Sequence, residues 1–371
     1  MPDPYFMDIF ANIYVLLFTI TTLPFMKKIL SILILCVFAC SLVSNAHGRS
    51  WHELVAANED RLASDTTAAD TAVDVVAYFA KGDTCDYRIT ETKWKISGTD
   101  TVQTACVNTY VRLVVTDSTS AGYKMTYTFT GVDCDTTAHS AESRLLCIIT
   151  DKMRENVVGT IIEFETNELG TITKINNLGQ IKKKAKVLFK ESMKALAATP
   201  EMKALKKEVG IDVTDFTKGV DIDEIVDGYV EELKLLFLCH GKSFAIGESH
   251  DHDDATDDDY ESDTYRTAWV EDSGDYSVEV SVVSIIPQAD LRALVGGIVD
   301  MFKNDEVKDQ FEKEFDKQVS VDGSITDRYT LNCFNDGWPI EVIKQRRMKM
   351  GNLLEKVEQT YIGIQHFSER K

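Results

Sequence analysis

Apolar and polar residues alternate with a period of two over most of the chain between residues 71 and 175. In YKMTYTFT every second residue from Tyr123 to Phe129 is apolar, and the residues between them are polar. The stretches VNTYVRLVV, CDYRI, LLCII and TIIEFET repeat this pattern. It predicts antiparallel strands with one packed face and one hydrated face. Gly170 in TNELG is free to adopt a positive φ and predicts a hairpin turn.

A helical period replaces this alternation in three stretches. Their apolar residues recur at helical spacing and are Ile181, Ala185, Leu188 and Leu196, then Ile222, Ile225, Tyr229, Leu233 and Leu236, then Leu291, Leu294, Ile298 and Met301. Lysines crowd the other side of the first stretch, which predicts a helix that covers a sheet with its apolar face. The alternative is a basic helix that binds a membrane or anions.

Strand patterns return after residue 264. YRTAWVEDSGDYSVEVSVVSII predicts a hairpin that turns at Ser273-Gly274, and NDGWP predicts a further turn. The stretches on either side of Gly351-Asn352 predict a last hairpin, with a helix as the alternative. Strands in runs and helices in runs indicate an α+β fold, in which helices pack on one face of a curved antiparallel sheet or sheets.

These patterns predict a single large domain over residues 71–371, preceded by a flexible lead-in at 47–70. Its predicted segments are strands 71–175, helices 178–240, an acidic loop 247–263, a hairpin 264–286, a helix 288–318 and strands 319–366.

Residues 26–46 have the three parts of a secretory signal peptide. Lys27 and Lys28 precede the apolar run Ile29–Val43, and Ser44-Asn45-Ala46 supplies small residues for cleavage. Two alternatives stay open, a lipoprotein cut before Cys40 and an uncleaved anchor. Residues 1–25 are interpreted as upstream sequence from a start chosen too early, or as an extra apolar segment. We therefore expect an exported protein, periplasmic, extracellular or an outer-membrane lipoprotein, attached to the membrane only through its signal or a lipid.

The formal net charge is −20, and it belongs to the part of the chain after residue 46. Binding to nucleic acid needs clustered lysine and arginine, so this class of partner is not expected. Six cysteines remain after the signal, and an even number in an exported chain is typical of disulfides. The economical pairing is Cys85 with Cys106, Cys134 with Cys147, and Cys239 with Cys333; six reduced buried cysteines are the alternative.

No motif for catalysis or cofactor binding is present, so we assign neither catalytic nor cofactor-binding residues. The conspicuous cluster is His250, Asp251, His252 and Asp253, followed by a run of aspartates. Imidazole and carboxylate are ligands for zinc, and carboxylate alone suits calcium. A run of like charges is more typical of a disordered loop, which is the first hypothesis for this segment. Weak binding of a divalent cation is the second.

Four short stretches occur in an order that resembles uncharacterised exported β-rich protein families of bacterial cell envelopes. They are FAKGDTCDYRIT, FETNELGTITKI, KSFAIGES and NDGWPIEV. A Gly-Asp-x-Trp element recurs in these families. This chain departs from it, because Gly247-Glu248 stands at that place and no tryptophan follows. No catalytic residues are known for such families, so the resemblance implies only a fold class and a location.

Three functional hypotheses follow. The first is a non-catalytic exported cell-envelope protein that binds a lipid or another hydrophobic ligand between sheet and helices, as lipoprotein-carrier-like folds do. The second is a structural or scaffold subunit of an envelope assembly, with another envelope protein as its partner. The third is a hydrolase-type enzyme without a recognisable motif.

Overall fold

The computed structural model describes most of the chain after residue 70. The described residues are 71–97, 100–135, 150–152, 154–200, 230–254, 260–301, 321–350 and 354–368, together with 203, 309, 313, 315, 316 and 319. The predicted signal, the segment before it and the lead-in lie outside them, as does most of 204–229. Within the described part, no helix is both long and apolar enough to span a membrane.

Thirteen strands and two helices have described bounds. The strands are β1 (Ala72–Val75), β2 (Thr84–Ser97), β3 (Asp100–Thr119), β4 (Gly122–Cys134), β5 (Ile161–Thr166), β6 (Ile172–Ile175), β7 (Lys242–Ala245), β8 (Gly247–Asp253), β9 (Ser262–Val270), β10 (Tyr276–Ile286), β11 (Gly323–Cys333), β12 (Pro339–Met350) and β13 (Leu354–Ser368). The helices are α1 (Leu178–Ala197) and α2 (Gln288–Met301), and residues 230–236 are also helical.

Eleven of the strands form one antiparallel sheet. Their order is β6-β5-β4-β3-β2-β13-β12-β11-β10-β9-β8, and β1 pairs with β7 in a separate two-stranded sheet. Strands β2 to β6 form one meander and strands β8 to β13 form another. The two meet where β2 pairs with β13, with Ile89 opposite Ile362.

The α+β prediction was wrong, because the described structure is mostly β. The amphipathic stretches at α1 and α2 are helical, but strands that lie more than 200 residues apart in the sequence join into one large sheet. A pairing such as β2 with β13 leaves no trace in local periodicity. The sequence pattern therefore indicated separate runs of strands divided by helices rather than one continuous sheet.

The hairpin turns predicted from glycine are present. Gly170 has φ +95° between β5 and β6, and Gly274 has φ +86° between β9 and β10. Gly337 in NDGWP has φ +86°, and a Cβ there would lie 2.3 Å from the carbonyl oxygen of Val76. Glycine is thus required at this turn both for its backbone angle and for the close approach of another segment.

The interior face of the sheet changes character along its central strands. Directly paired side chains lie on the same face, so the register defines rows across the sheet. One row consists of Val278, Leu331, Val342, Ile362 and Ile89, all fully buried. The row two residues further along consists of Val280, Tyr329, Lys344, Thr360 and Glu91, and the next of Val282, Asp327, Arg346, Glu358 and Lys93. An apolar end and an ionic end therefore share one face.

Aromatic side chains close the apolar end. Trp338 is fully buried after the NDGWP turn, and its ring centroid lies 4.2 Å from that of Phe79. Phe79 also contacts Tyr123 at 5.2 Å and Phe237 at 6.3 Å between ring centroids. The apolar residues of α1, including Ile181 and Leu188, belong to the same core.

Candidate functional site

A small cavity lies at the ionic end of the interior face, between the central strands and helical residues 230–236. Its volume is about 40 Å³, and we call it the ionic cavity. It is lined by Glu91, Thr92, Lys93, Glu231, Glu232, Leu235, Lys344, Arg346, Glu358, Gln359 and Thr360. About 10–15 Å³ is enough for one water molecule in a cavity measured in this way, whereas pockets for drug-sized ligands measure roughly 300–1,000 Å³. The ionic cavity therefore has room for a few water-sized groups; ten of its eleven described lining residues are polar or charged, and their carbon atoms form most of the lining surface.

The cationic side chains of the cavity have anionic partners. Arg346 donates two parallel hydrogen bonds to Asp327, from Nε to Oδ1 at 2.6 Å and from a terminal nitrogen to Oδ2 at 2.8 Å, and both residues are buried. Lys344 forms an ion pair with Glu231. Lys356 is 2% exposed and lies 2.6 Å from a carboxylate oxygen of Glu358. Burying charges is costly unless each one is paired, and these contacts meet that requirement.

Glu232 has no ion-pair partner of this kind among the described residues. Burial, reinforced by the charges of Glu91 and Glu231, raises its pKa to about 8. Its Oε2 atom is buried and has no hydrogen-bond partner in the described part of the protein. Glu232 is therefore mostly protonated at pH 7, and this cavity-lining residue holds a buried oxygen without a partner.

Two neighbouring groups share this environment. Burial raises the pKa of Glu91, and the charge of Lys93 opposes that shift. Burial and then the carboxylates of Glu232 and Glu91 raise the pKa of Tyr127 well above its usual range. The hydroxyl of Tyr127 also has no hydrogen-bond partner among the described residues. Shifted pKa values and convergent polar groups in one cavity are typical of a functional site.

The strand register explains how these residues come together and why sequence reasoning missed them. Glu91 and Lys93 lie two and four residues after buried Ile89, so they are on the same face of their strand. Lys344 and Arg346 follow buried Val342 in the same way. Charged residues at interior positions of a strand pattern are the signal that points to the site. Neither its coverage by helical residues 230–236 nor the pairing of β13 with β2 is visible in the sequence.

The predicted metal ligands lie elsewhere, at the edge of the sheet. Residues 247–253 form the exposed edge strand β8 rather than a loop. His250 Nε2 lies 2.9 Å and His252 Nδ1 lies 3.1 Å from Oδ1 of Asp263 on β9. Asp251 instead pairs with Arg266.

The strand alternation therefore divides the four predicted ligands between two faces, the histidines on one and Asp251 and Asp253 on the other. In the described ranges no group of three or more His, Cys, Asp or Glu side chains is arranged to hold a metal ion. Residues 255–259 lie outside those ranges.

The cysteines of the described ranges are free thiols, and Cys147 lies outside those ranges. Cys85 is opposite Leu113 whereas Cys106 is opposite Thr92, so these two predicted partners lie several rungs apart on the ladder of β2 and β3. Cys239 and Cys333 are both buried. Burial raises the pKa of Cys239 to about 12, so this thiol is not an activated nucleophile.

Comparison with known proteins identifies no family. No family model matches the chain, and no curated protein matches it. A solved structure concerned with lipid–protein interactions in lipovitellin is similar to 79% of this chain, with 9% identity and a TM-score of 0.35. This chain spans only 26% of the lipovitellin chain. An outer membrane channel from Pseudomonas putida F1 matches 79% of this chain and 98% of its own, with 8% identity and a TM-score of 0.14. Similarity this low establishes neither a shared fold nor a shared function.

Proposed function

We propose that this chain is a non-catalytic exported protein that binds a small polar ligand in the ionic cavity. The carrying observation is the carboxyl group of Glu232, which is 5% exposed, lines the cavity and has an oxygen without a hydrogen-bond partner in the described part of the protein. A buried polar atom without a partner costs about 1–3 kcal/mol. A ligand that satisfies it recovers this cost, and the cost is therefore a source of binding energy.

The position between sheet and helix is the one expected for a lipid or other hydrophobic ligand, but the chemistry of the cavity favours a different class. An acyl chain would displace water from seven ionisable side chains without replacing their hydration, at a cost of several kcal/mol. The apolar end of the same face is packed with the rings of Trp338, Phe79 and Phe237. A small ligand that carries a polar group, rather than a long apolar chain, fits a cavity of this size and charge.

Binding is favoured over catalysis by the composition of the lining. The cavity has a carboxyl group with a shifted pKa, which an acid or base catalyst needs, but the described lining residues include no histidine, cysteine or serine. One shifted carboxyl group does not make a set of catalytic groups with distinct roles.

The scaffold hypothesis has less support from the sheet edge. Strand β8 is exposed along its length, but it carries Glu248, His250, Asp251, His252 and Asp253. Charged residues on an edge strand are a common means of preventing pairing with another chain. Export is supported by the signal-like sequence of residues 26–46.

The test is to identify what the protein carries from the cell. The chain from residue 47 is exported with a standard signal and purified without denaturant. It is then unfolded, and the aqueous and organic extracts are analysed by mass spectrometry. We expect a small polar molecule in the aqueous extract at a near-equimolar ratio. Thr360→Leu, which fills the cavity without removing an ion pair, should abolish this signal.

The matched control is Thr330→Leu on β11, two strands away from Thr360 in the same sheet. Thr330 is paired with Ile343 and lies on the opposite face of the sheet, so this variant should retain the ligand. A lipid in the organic extract that survives Thr360→Leu would contradict the proposal. So would an empty wild-type protein that binds none of the polar probes described below.

A further inference from the structure

Among the described residues that line the ionic cavity, acidic groups outnumber cationic groups by one. Its charged lining consists of three cationic residues, Lys93, Lys344 and Arg346, and four acidic residues, Glu91, Glu231, Glu232 and Glu358. The adjoining partners Asp327 and Lys356 add one charge of each sign. The surplus of one carboxyl group is unchanged.

The ion pairs of the described residues favour Glu232 as the surplus group. Lys344 is paired with Glu231, Arg346 with Asp327 and Lys356 with Glu358, and Lys93 also has a partner. On the acidic side, Glu232 retains a buried oxygen without a partner among the described residues. A bound proton is one way to neutralise this group, and a bound cation is the other.

We infer that the ligand of the ionic cavity is a small monovalent cation of the ammonium type, whose positive charge takes the place of the proton on Glu232. This inference rests on the proposed function and names its ligand class. The exchange conserves charge, since R–NH₃⁺ enters, the carboxylic acid of Glu232 becomes a carboxylate, and one proton leaves to solvent. No other bond changes.

The geometry favours an ammonium group over a metal ion or an anion. The carboxyl group of Glu232, the hydroxyl of Thr360 and the amide oxygen of Gln359 belong to lining residues and are acceptors that the N–H donors of an ammonium group can use. In the described ranges the carboxylates do not converge as metal ligands. An anion would add a second uncompensated negative charge in a buried place, which is strongly unfavourable.

Every element around Glu232 contributes a charged or titratable group to this balance. Strand β2 supplies Glu91 and Lys93, β12 supplies Lys344 and Arg346, β13 supplies Glu358, β4 supplies Tyr127, and the helix itself supplies Glu231. Of these, the pKa of Glu91 is raised along with that of Glu232, so the two carboxyl groups titrate as a coupled pair. Of these two, Glu232 is the one with a buried oxygen that has no hydrogen-bond partner among the described residues.

Titration calorimetry with methylammonium chloride tests the exchange. Because cation and proton compete, the affinity should rise about tenfold per pH unit from pH 5 to the pKa of Glu232 near 8, and then level off. At pH 7, measurements in buffers of different ionisation enthalpy should show release of close to one proton per methylammonium bound. Tetramethylammonium has the same charge but no N–H donor and a larger volume, and we expect it not to bind.

Two variants keep the result interpretable. Glu232→Gln retains the shape of the side chain and should abolish methylammonium binding, whereas Glu279→Gln changes a carboxylate that pairs with Arg328 outside the cavity and should not. If Glu232→Gln does not fold, Thr360→Leu blocks the same cavity and should also abolish binding.

The outcomes separate this inference from the proposed function. Equal methylammonium affinity at pH 6 and pH 8, or full binding to Glu232→Gln, would overturn the proton exchange. Binding of acetate in place of methylammonium at the site blocked by Thr360→Leu would overturn the cation class, yet it would leave polar-ligand binding intact. Failure of methylammonium, acetate and potassium chloride to bind, together with an empty purified protein, would overturn both.

Discussion

The two ends of the interior face are equally well buried but depend on opposite chemistry. At the apolar end, Trp338 and Tyr87 are removed from water among aromatic and aliphatic neighbours. At the ionic end, Arg346 and Lys356 are nearly as inaccessible, yet they carry full charges. Apolar burial contributes about 25 cal/mol per Å², whereas a buried ion pair does little more than recover its own desolvation cost. The same strands thus stabilise the fold at the apolar end, and at the ionic end they hold buried charges beside the proposed ligand site.

The largest effect should come from truncating Trp338. Trp338→Ala removes a fully buried indole that contacts Phe79 and should lower the free energy of unfolding by about 3–5 kcal/mol. The control is Trp269→Ala, since Trp269 is 37% exposed on β9 and should cost about 1 kcal/mol or less. Urea unfolding followed by circular dichroism measures both. Similar losses from the two tryptophans would mean that the apolar end does not dominate stability.

The buried pair Arg346–Asp327 should behave differently when one or both partners are removed. Arg346→Met leaves Asp327 buried without its partner and should cost about 3–5 kcal/mol. Replacing both residues, by Met and Leu, should restore most of this loss because neither desolvated charge remains.

The exposed pair Arg112–Asp86 is the matched control. It has the same two-point geometry, but the side chain of Arg112 is 53% exposed, so breaking it should cost about 1 kcal/mol or less. A double-mutant cycle on each pair by urea unfolding gives the comparison. If the Arg346–Asp327 double replacement is as damaging as Arg346→Met alone, the ionic end stabilises the fold by more than charge pairing.

The stability of the ionic end should depend on pH through Glu232. Its pKa is raised from 4.5 to about 8 by burial, so the folded protein holds a proton that the unfolded chain releases. The stabilisation is fully present below about pH 4.5 and is lost as the pH rises through about 8. Between these limits the free energy of unfolding should fall by about 1.4 kcal/mol per pH unit.

Glu232→Gln should flatten this slope, because the amide does not titrate. Urea unfolding at pH 5, 6, 7 and 8 measures the slope in the wild type, in Glu232→Gln and in Glu279→Gln, which should retain it. A wild-type slope that persists in Glu232→Gln would assign the titration to Glu91 instead.

Local pattern predicted many of the elements, although not strand β8, and it did not predict how the strands assemble. The alternation around Tyr127 and the glycines at 170 and 274 predicted strands and turns that the structure contains. The pairing of β2 with β13 was not predictable, because it depends on how all the residues between these two strands fold. This is why the α+β class was wrong. For the same reason the ionic cavity, assembled from β2, β12, β13 and helical residues 230–236, was missed.

The smallest expected effect concerns two histidines, one of them buried and the other on the exposed edge strand β8. Burial lowers the pKa of His240 to about 4, and its Nε2–H donates to the carbonyl oxygen of Gly337. The hydrogen bond and charge of Asp263 instead raise the pKa of exposed His252, and the histidines lower the pKa of Asp263. Asp263→Asn should therefore shift the NMR titration of His252 to lower pH and leave that of His240 in place.

The same NMR spectra test whether His250 and His252 bind a divalent cation together with Asp263. Strand β8 presents His250 and His252 to Asp263, while Asp251 is paired with Arg266 on the other face. Zinc binding must displace the protons that now link both imidazoles to Asp263, so it should strengthen as the pH rises. Because no three of these side chains in the described ranges are arranged to hold a metal ion, we expect weak binding in fast exchange, and Asp263→Asn should weaken it further while Asp251→Asn should not. A flat zinc titration at pH 8 would leave the edge histidines with a local electrostatic role only.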